Sequence, residues 1–120
     1  MLRRRLSLAV SVTAFALVLP SAAHARTYHG YVGPATEITL ENAAGNRVSR
    51  IPAGSHTFLI HDNSSMHNFR LRRGSTVMRS TTLSFVGTRR WTGVRIRAGR
   101  TYTYYCSAHP SSMSGTFRGV

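Results

Sequence analysis

Turn-forming residues interrupt the chain at short intervals from Gly33 to its C-terminus. Gly, Pro, Asn, Asp and Ser cluster at 33–34, 42–46, 52–54, 62–65, 73–74, 98–99 and 109–112. The segments between them are short and rich in Val, Ile, Thr, Tyr and Phe, a spacing that is typical of an all-β sandwich or barrel. After residue 25 no window keeps a helical periodicity for longer than about two turns, which is short of an ordinary helix. The sequence therefore predicts an all-β sandwich.

Apolar and polar residues alternate with a period of two in several of these segments, as expected of strands with one buried face. The residues predicted to face inward are Phe58, Ile60, His67, Phe69, Leu71, Val94, Ile96, Tyr102, Tyr104 and Cys106. Their neighbours, which include Asn68 and several arginines, are predicted to face outward. A sheet with one arginine-bearing face has one side on the core and the other in water.

The N-terminus has the organisation of an export signal. Three arginines at 3–5 precede an apolar stretch from Leu6 to Leu19, and a small-residue Ala-x-Ala site ends at Ala25. The stretch is short for a membrane span, and no second one follows. We therefore predict a cleavable signal peptide over 1–25, one domain over 26–120, a periplasmic or extracellular location, and no stable membrane insertion after cleavage.

The net charge and the cysteine content further limit the classes of protein to which the chain can belong. The 120 residues include 16 Lys+Arg, all of them Arg, against 3 Asp+Glu, for a formal charge of +13, yet 42% are hydrophobic, enough for a packed core. The single cysteine excludes a disulfide within the chain. An exposed thiol in an oxidising compartment would oxidise or cross-link. The cysteine is therefore buried and inert, paired with another chain, or a metal ligand.

The segment before the C-terminus contains a thiol, an imidazole and a thioether at close spacing. Cys106, His109 and Met113 form the pattern C-x2-H-x3-M at the end of a predicted strand, where a tight loop can turn all three side chains towards one point. Soft sulfur together with imidazole is a ligand set that copper favours, and a trigonal His2Cys site with a weak axial Met is a known electron-transfer centre. His67, at the start of an inward-facing alternation, is the predicted second histidine.

An exported domain that combines His67-Asn68-Phe69 with the terminal Y-x-C-x2-H-x3-M-x-G run resembles the cupredoxins, the plastocyanin and azurin group of blue copper proteins. The resemblance extends from about Thr36 to Val120 and implies a Greek-key β-sandwich. It also implies one copper ion, cycling between Cu(I) and Cu(II).

The resemblance assigns a role to each residue of the two motifs. His67 and His109 would be the imidazole ligands, Cys106 the thiolate and Met113 the axial thioether. Asn68 matches a family position that lies outside the ligand set: its backbone amide bonds the copper-bound sulfur, and its side chain ties two loops together.

The same resemblance implies a one-electron carrier rather than an enzyme. Electrons would pass through the exposed edge of His109, with Pro110 in the contact surface. The positive charge favours a redox partner with an acidic docking surface, and we expect a monomer with no specific nucleic-acid target. The acidic patch of plant plastocyanins is absent, so their docking mode is not expected.

Two alternatives remain open from the sequence. A module that stores or delivers copper would use the same ligands without shuttling electrons. A basic β-sandwich would instead bind anionic polymers through its arginines, although these lack the interleaved aromatic residues of a stacking platform. Hydrolysis by paired carboxylates is excluded because the only acidic residues are Glu37, Glu41 and Asp62. Asp62 is predicted to be a turn former.

The remaining candidate residues are predicted to be structural. His61 is expected to be a polar residue at a strand end, and neither His29 nor His56 shows a partner pattern. Trp91 is expected to pack near the site rather than to relay electrons. Met66 is a rival axial ligand that we disfavour.

Overall fold

The computed structural model describes residues 7–17 and 24–120. The strands, in chain order, are β1 (Thr27–Val32), β2 (Ile38–Glu41), β3 (Arg50–Ile51), β4 (Gly54–Asp62), β5 (Arg70–Arg73), β6 (Thr76–Ser80), β7 (Gly87–Ile96), β8 (Thr101–Tyr105) and β9 (Ser114–Gly119). The described part of the chain contains no helix. The predicted all-β class is thus confirmed.

The strands form two sheets with crossed connections. One has four strands in the order β2-β1-β4-β7, and the other has five in the order β3-β9-β8-β5-β6. The pairs β1–β4 and β3–β9 are parallel, and every other pair is antiparallel. Four of the seven strand pairs join strands that are not consecutive in sequence, so this is a Greek-key sandwich, as predicted.

The inner faces of the two sheets form a core rich in aromatic side chains. Phe69 stacks on Tyr104, with ring centroids 5.5 Å apart and planes 6° from parallel, and Trp91 meets Phe69 edge-on at 6.0 Å. Tyr102 stacks on Phe117 at 5.0 Å. Such pairs contribute stability beyond the area they bury. The residues predicted to face inward are all buried, so the alternation identified the core face correctly.

Two residues depart from the predicted outward face. Asn68 is buried because β5 begins only at Arg70, so the strand alternation does not yet apply at 68. Tyr105 is buried because the Arg72 guanidinium lies over its ring, 5.0 Å from the centroid. An arginine side chain that lies over an aromatic ring makes a cation–π contact and shields the outward-facing ring from solvent.

The N-terminal stretch lies outside both sheets. Residues 7–17 adopt neither helix nor strand, and their side chains are exposed. No helix in the described residues is long and apolar enough to span a membrane. The small-residue cleavage site lies partly outside the described residues, and the boundary between 1–25 and 26–120 stays a prediction.

Gly30 occupies an inward position of β1 where no side chain fits. A Cβ at this position would lie 2.7 Å from Ile60 Cδ1 and 2.8 Å from Phe69 Cε2. We expect Gly30→Ala to lower the free energy of unfolding by about 1–3 kcal/mol, the usual cost of overpacking a core. Denaturant titration measures this change, and an unchanged midpoint would show that Ile60 moves aside without cost.

Candidate metal centre

The loop between β4 and β5 carries His67 into the interior. Asp62 Oδ1 accepts a hydrogen bond from the Ser64 backbone amide at 3.0 Å, and Ser64 Oγ accepts one from the Met66 amide at 3.2 Å. Short polar side chains that bond the backbone two residues on stabilise turns. Asp62 is thus a turn former, as predicted, and the turn it starts leads the chain to a buried His67.

The loop between β8 and β9 carries the other three candidate residues. The Cys106 amide donates to the Met113 carbonyl at 3.0 Å, the His109 amide to the Cys106 carbonyl at 3.2 Å, and the Met113 amide to the His109 carbonyl at 2.9 Å. The bond between Cys106 and Met113 joins the first and last residues of the loop, and the other two bonds lie within it. These three backbone hydrogen bonds hold the loop in its conformation.

The two loops bring one thiol and two imidazoles together. Cys106 Sγ lies 3.8 Å from His67 Nδ1 and 3.8 Å from His109 Nδ1. The two imidazole rings have centroids 4.9 Å apart and planes 66° apart. Across residues 7–17 and 24–120, these three side chains make up the one group of at least three potential ligands whose donor atoms lie within 4.8 Å of one another.

Burial differs among the four predicted ligands. Cys106 and Met113 are fully buried in the core cluster, and His67 is 8% exposed. His109 is more exposed than the other three and lies beside the exposed Pro110. Met66, the disfavoured rival, is 73% exposed and points away from the core. The buried sulfur is thus shielded from solvent, while one histidine edge reaches the surface.

Asn68 links the two loops through its side-chain amide. Its Oδ1 accepts hydrogen bonds from the Ser107 backbone amide at 2.8 Å and from Ser107 Oγ at 3.1 Å. Its Nδ2 donates to the Thr81 carbonyl at 3.0 Å, and Thr81 Oγ1 accepts from the Phe69 amide at 2.9 Å. The buried Asn68 side chain therefore joins the β4–β5 loop to Ser107 in the β8–β9 loop and to Thr81, the residue that follows β6.

Thr81 and Ser107 were not singled out from the sequence. A threonine or serine in a turn-rich region has no pattern that marks it as buried, and both acquire their roles only because Asn68 reaches them across long sequence separations. Trp91 packs edge-on against Phe69, two positions from His67, which matches the packing role expected of it.

His56 is structural, in agreement with the sequence. It is buried, and its Nδ1 accepts a hydrogen bond from the Arg26 amide at 3.0 Å while its Nε2 lies 2.6 Å from the Pro52 carbonyl oxygen. His29, by contrast, does have a partner, because its Nδ1 lies 3.0 Å from His61 Nε2. This pair could not be predicted from the sequence, because β1 and β4 become neighbours only in the folded sheet.

The donor set fits copper better than it fits a hard cation. Thiolate and imidazole select soft and borderline metals, whereas Mg²⁺ and Ca²⁺ require oxygen ligands. A metal–thiolate bond of about 2.3 Å and a metal–imidazole bond of about 2.0 Å together span about 4.3 Å. Both sulfur–nitrogen distances are shorter than this, so one ion can contact the thiol and either imidazole without a change of backbone.

Asp62 is a buried carboxylate close to this cluster. Its Oδ2 is buried without a hydrogen-bond partner. Burial raises the pKa of Asp62, and the Ser64 amide bond and the charge of His67 oppose that rise. Because the folded state holds the proton more tightly than the unfolded chain, stability is expected to fall as pH rises from the ordinary aspartate range through the folded pKa.

We expect Asp62→Asn to abolish this dependence of stability on pH. The amide keeps an oxygen for the Ser64 bond and carries no charge, so the metal-free variant should be more stable than the wild type near neutral pH, on the order of 1 kcal/mol. The two proteins should converge at low pH, where Asp62 is protonated. Urea titrations of both proteins across this pH range measure the effect, and parallel pH profiles would contradict it.

Comparison with known proteins gives structural matches only. No protein-family model matches the chain, and no curated protein sequence matches it. Reduced rusticyanin is similar in structure, with 20% sequence identity over 82% of each chain and a TM-score of 0.57. Auracyanin A from Chloroflexus aurantiacus, described as a "blue" copper protein, has 17% identity over 81% of this chain and 100% of its own, with a TM-score of 0.57. Reduced auracyanin from Roseiflexus castenholzii has 14% identity over 82% and 99%, with a TM-score of 0.56.

These similarities extend over the whole sandwich rather than over one motif, and the thiol and imidazoles converge in it as described above. Together the fold and the donor set support a single copper ion as the cofactor. The resemblance found in the sequence is confirmed at the level of the fold: the chain is a Greek-key β-sandwich with the cupredoxin fold.

Proposed function

We propose that the protein is an exported type 1 copper protein that carries single electrons, with one ion held by His67, Cys106, His109 and Met113. The observation that carries the proposal is the convergence of the Cys106 thiol with Nδ1 of both histidines at 3.8 Å, in a buried cluster of a cupredoxin fold. A trigonal His2Cys set with a weak axial methionine is the arrangement of electron-transfer copper sites.

The chain's own residues account for the properties that such a carrier needs. The bound ion would supply a one-electron couple between Cu(II) and Cu(I). Backbone hydrogen bonds within the 106–113 loop hold Cys106 and Met113 in place, and Asn68 ties that loop to His67. Ligands that are fixed in this way have little to rearrange when the charge of the ion changes. Burial of Cys106 keeps water from the sulfur.

His109 is the proposed route for electrons. It is the most exposed of the four ligands, and Pro110 and Met66 lie exposed beside the two ligand histidines in sequence. Exposed apolar residues next to the ligands in sequence would let a partner come close without desolvating charges. The net charge is strongly positive, so a redox partner with an acidic docking surface would be attracted over a longer range.

The location of the protein is part of the same proposal. Residues 1–25 have the organisation of an export signal, and the first strand begins shortly afterwards at Thr27. Cleavage after Ala25 would release residues 26–120 as the working domain in the periplasm or outside the cell. An oxidising compartment is compatible with the buried Cys106 thiol.

The proposed ligand set argues against substrate chemistry at the metal. An open coordination position is what metal enzymes keep for substrate, and the proposed set of four protein ligands leaves none. The chain has only three carboxylates, and none belongs to the donor cluster. We therefore propose electron transfer without substrate chemistry at the metal.

Copper loading of the purified protein tests this function. We expect binding of one Cu(II) with an intense visible absorption from thiolate-to-copper charge transfer, and rapid reversible oxidation and reduction at an electrode. A colourless protein without stoichiometric copper would contradict the proposal. A coloured protein that does not cycle at an electrode would favour the storage or delivery module instead, and salt-sensitive heparin binding without copper would favour the polymer-binding alternative.

A further inference from the structure

A second cluster of metal-binding side chains lies on the outer face of the four-stranded sheet. Residues at alternate positions of β1 and β4 share this face, and the strand register sets Tyr31 beside His61 and His29 beside Leu59. His29 and His61 are half-buried, and Tyr31 is 40% exposed. This outer-face cluster is separate from the thiol-containing centre, whose ligands come from the two loops.

The two histidines face each other through one nitrogen of each ring. His29 Nδ1 lies 3.0 Å from His61 Nε2, and the rings are within 10° of parallel with centroids 5.3 Å apart. One of these nitrogens carries a hydrogen and the other accepts it. Two imidazole nitrogens are thus held side by side on adjacent strands, where the sheet fixes the spacing of their backbones.

The surroundings orient and shield the pair. Tyr31 stacks on His61 at 4.8 Å and on His29 at 6.3 Å, with its plane within 19° of both rings. On the other side of His61, Thr88 Oγ1 lies 3.4 Å from Nδ1. A histidine that binds a metal commonly donates its second ring N–H to an oxygen acceptor, and Thr88 offers that acceptor to His61.

Charge and protonation on this face permit a cation. Burial, and then the neighbouring His29, lower the pKa of His61, a direction that favours the neutral ring that a metal needs. Glu41 is directly opposite His29 across the β1–β2 pair, and it is an acidic residue among a large excess of arginines. Arginines are also close in the register: Arg90 is opposite Leu59 and Arg89 is opposite Ile60 on β7, and Arg47 forms an isolated bridge with Glu41.

The separation of the nitrogens suits a single metal ion between the two rings. With metal–imidazole bonds of about 2.0–2.1 Å, two nitrogens at the right angle of a tetragonal site lie about 2.9 Å apart, and those of a tetrahedral site lie about 3.3 Å apart. The observed 3.0 Å is near both values, so a small rotation of the rings admits one ion. Tetragonal nitrogen and oxygen coordination is typical of Cu(II), which also binds more tightly than the other divalent first-row ions.

We propose that His29 and His61 form a second copper site, which binds Cu(II), on the outer face of the four-stranded sheet. The ion replaces the hydrogen bond between the rings. The ring that donated this bond passes its hydrogen through solvent to its other nitrogen, which faces away, and the second ring already carries its hydrogen there, so binding to the neutral pair releases no net proton. Rotation of the rings turns both lone pairs towards the ion. Water completes the coordination, and Glu41 is the carboxylate opposite His29 in the register. Because sulfur takes no part, this site gives no intense visible band.

Copper titration of protein that already holds one equivalent tests the proposal. We expect the wild type to bind a second Cu(II) by equilibrium dialysis, with a second Cu(II) signal in the electron paramagnetic resonance spectrum and no increase in the intense visible band. His29→Gln and His61→Gln should each weaken the second binding event at least about tenfold, since each removes one of two protein ligands. Thr39→Val, on the same outer face next to Tyr31, is the matched control and should bind as the wild type does.

Two results would overturn the second site. One is a wild-type protein that binds no second Cu(II); the other is a second equivalent that binds equally well to the wild type and to both histidine variants. Thermal unfolding of each variant shows whether it is folded, and the two separate histidine variants guard against a folding defect in either one. The visible band reports the first copper independently, so failure of the second site does not mimic failure of the proposed carrier function.

Discussion

Replacement of Cys106 by serine is expected to remove essentially all of the intense visible absorption of the copper-loaded protein. That absorption requires a thiolate bonded to the metal, and Cys106 is the only cysteine in the chain. Serine is close to isosteric, so the fold should persist. Copper affinity should fall by more than about 100-fold. Loss of a residue that only hydrogen-bonds a metal ligand already costs up to about 100-fold, and loss of a ligand should cost more. Visible spectroscopy and a copper competition assay measure the two effects.

A matched control lies in the same loop. Ser111 is exposed between His109 and Met113, and Ser111→Ala should leave the band and the affinity unchanged. Persistence of the band in Cys106→Ser would mean that the thiol is not a ligand, and the proposed centre would then be wrong. Persistence of weak colourless Cu(II) binding would not rescue the centre, because the outer-face histidine pair is proposed to bind Cu(II) in that way.

Loss of the Asn68 side chain is expected to weaken both the fold and the metal centre. Asn68→Ala leaves the Ser107 amide and hydroxyl without their acceptor and takes one donor from the Thr81 carbonyl. A buried group that loses its partner costs about 1–3 kcal/mol, so we expect the free energy of unfolding of the metal-free protein to fall by about 2–4 kcal/mol. Copper affinity should fall about 10- to 100-fold, as is usual when an outer-shell partner is lost.

Asn63→Ala is the control for this effect. Asn63 is exposed in the same β4–β5 loop, and its backbone amide, which donates to the Val32 carbonyl, is unaffected by the substitution. Equal unfolding free energies for Asn63→Ala and Asn68→Ala would contradict the linking role of Asn68. Measurements on metal-free protein report the change in fold stability alone, without any contribution from weaker copper binding.

Much of the fold was predictable because its information is local. Turn residues recur at short intervals, and a period of two marks the buried face of each strand, so Phe69, Leu71 and Tyr104 could be placed in the core from their neighbours alone. The alternation was wrong at Asn68, where the strand has not begun, and at Tyr105, which Arg72 covers. Neither cause is visible in a window of a few residues.

The candidate metal centre likewise has one part that was predictable from the local sequence and one part that was not. Cys106 and His109 are close in sequence, so the approach of their side chains was predictable from one loop, whereas the role of Met113 as a ligand stays a prediction. His67 is about forty residues away and was joined to them by its place in an inward-facing alternation and by the cupredoxin resemblance, whereas its 3.8 Å approach to Cys106 depends on how β5 pairs with β8. The contact of Asn68 with Ser107 follows from the same pairing, and its contact with Thr81 follows from the pairing of β5 with β6.

The sequence by itself determined the β-class, the core face of the strands, the excess of positive charge and the close sequence spacing of the thiol, imidazole and thioether. Only the tertiary structure decided which distant residues meet: His67 with Cys106, and His29 with His61 across the parallel β1–β4 pair. The physical reason is that periodicity and turn chemistry act over a few neighbouring residues. Contacts between strands depend on sheet order and register, which the packing of the whole core selects.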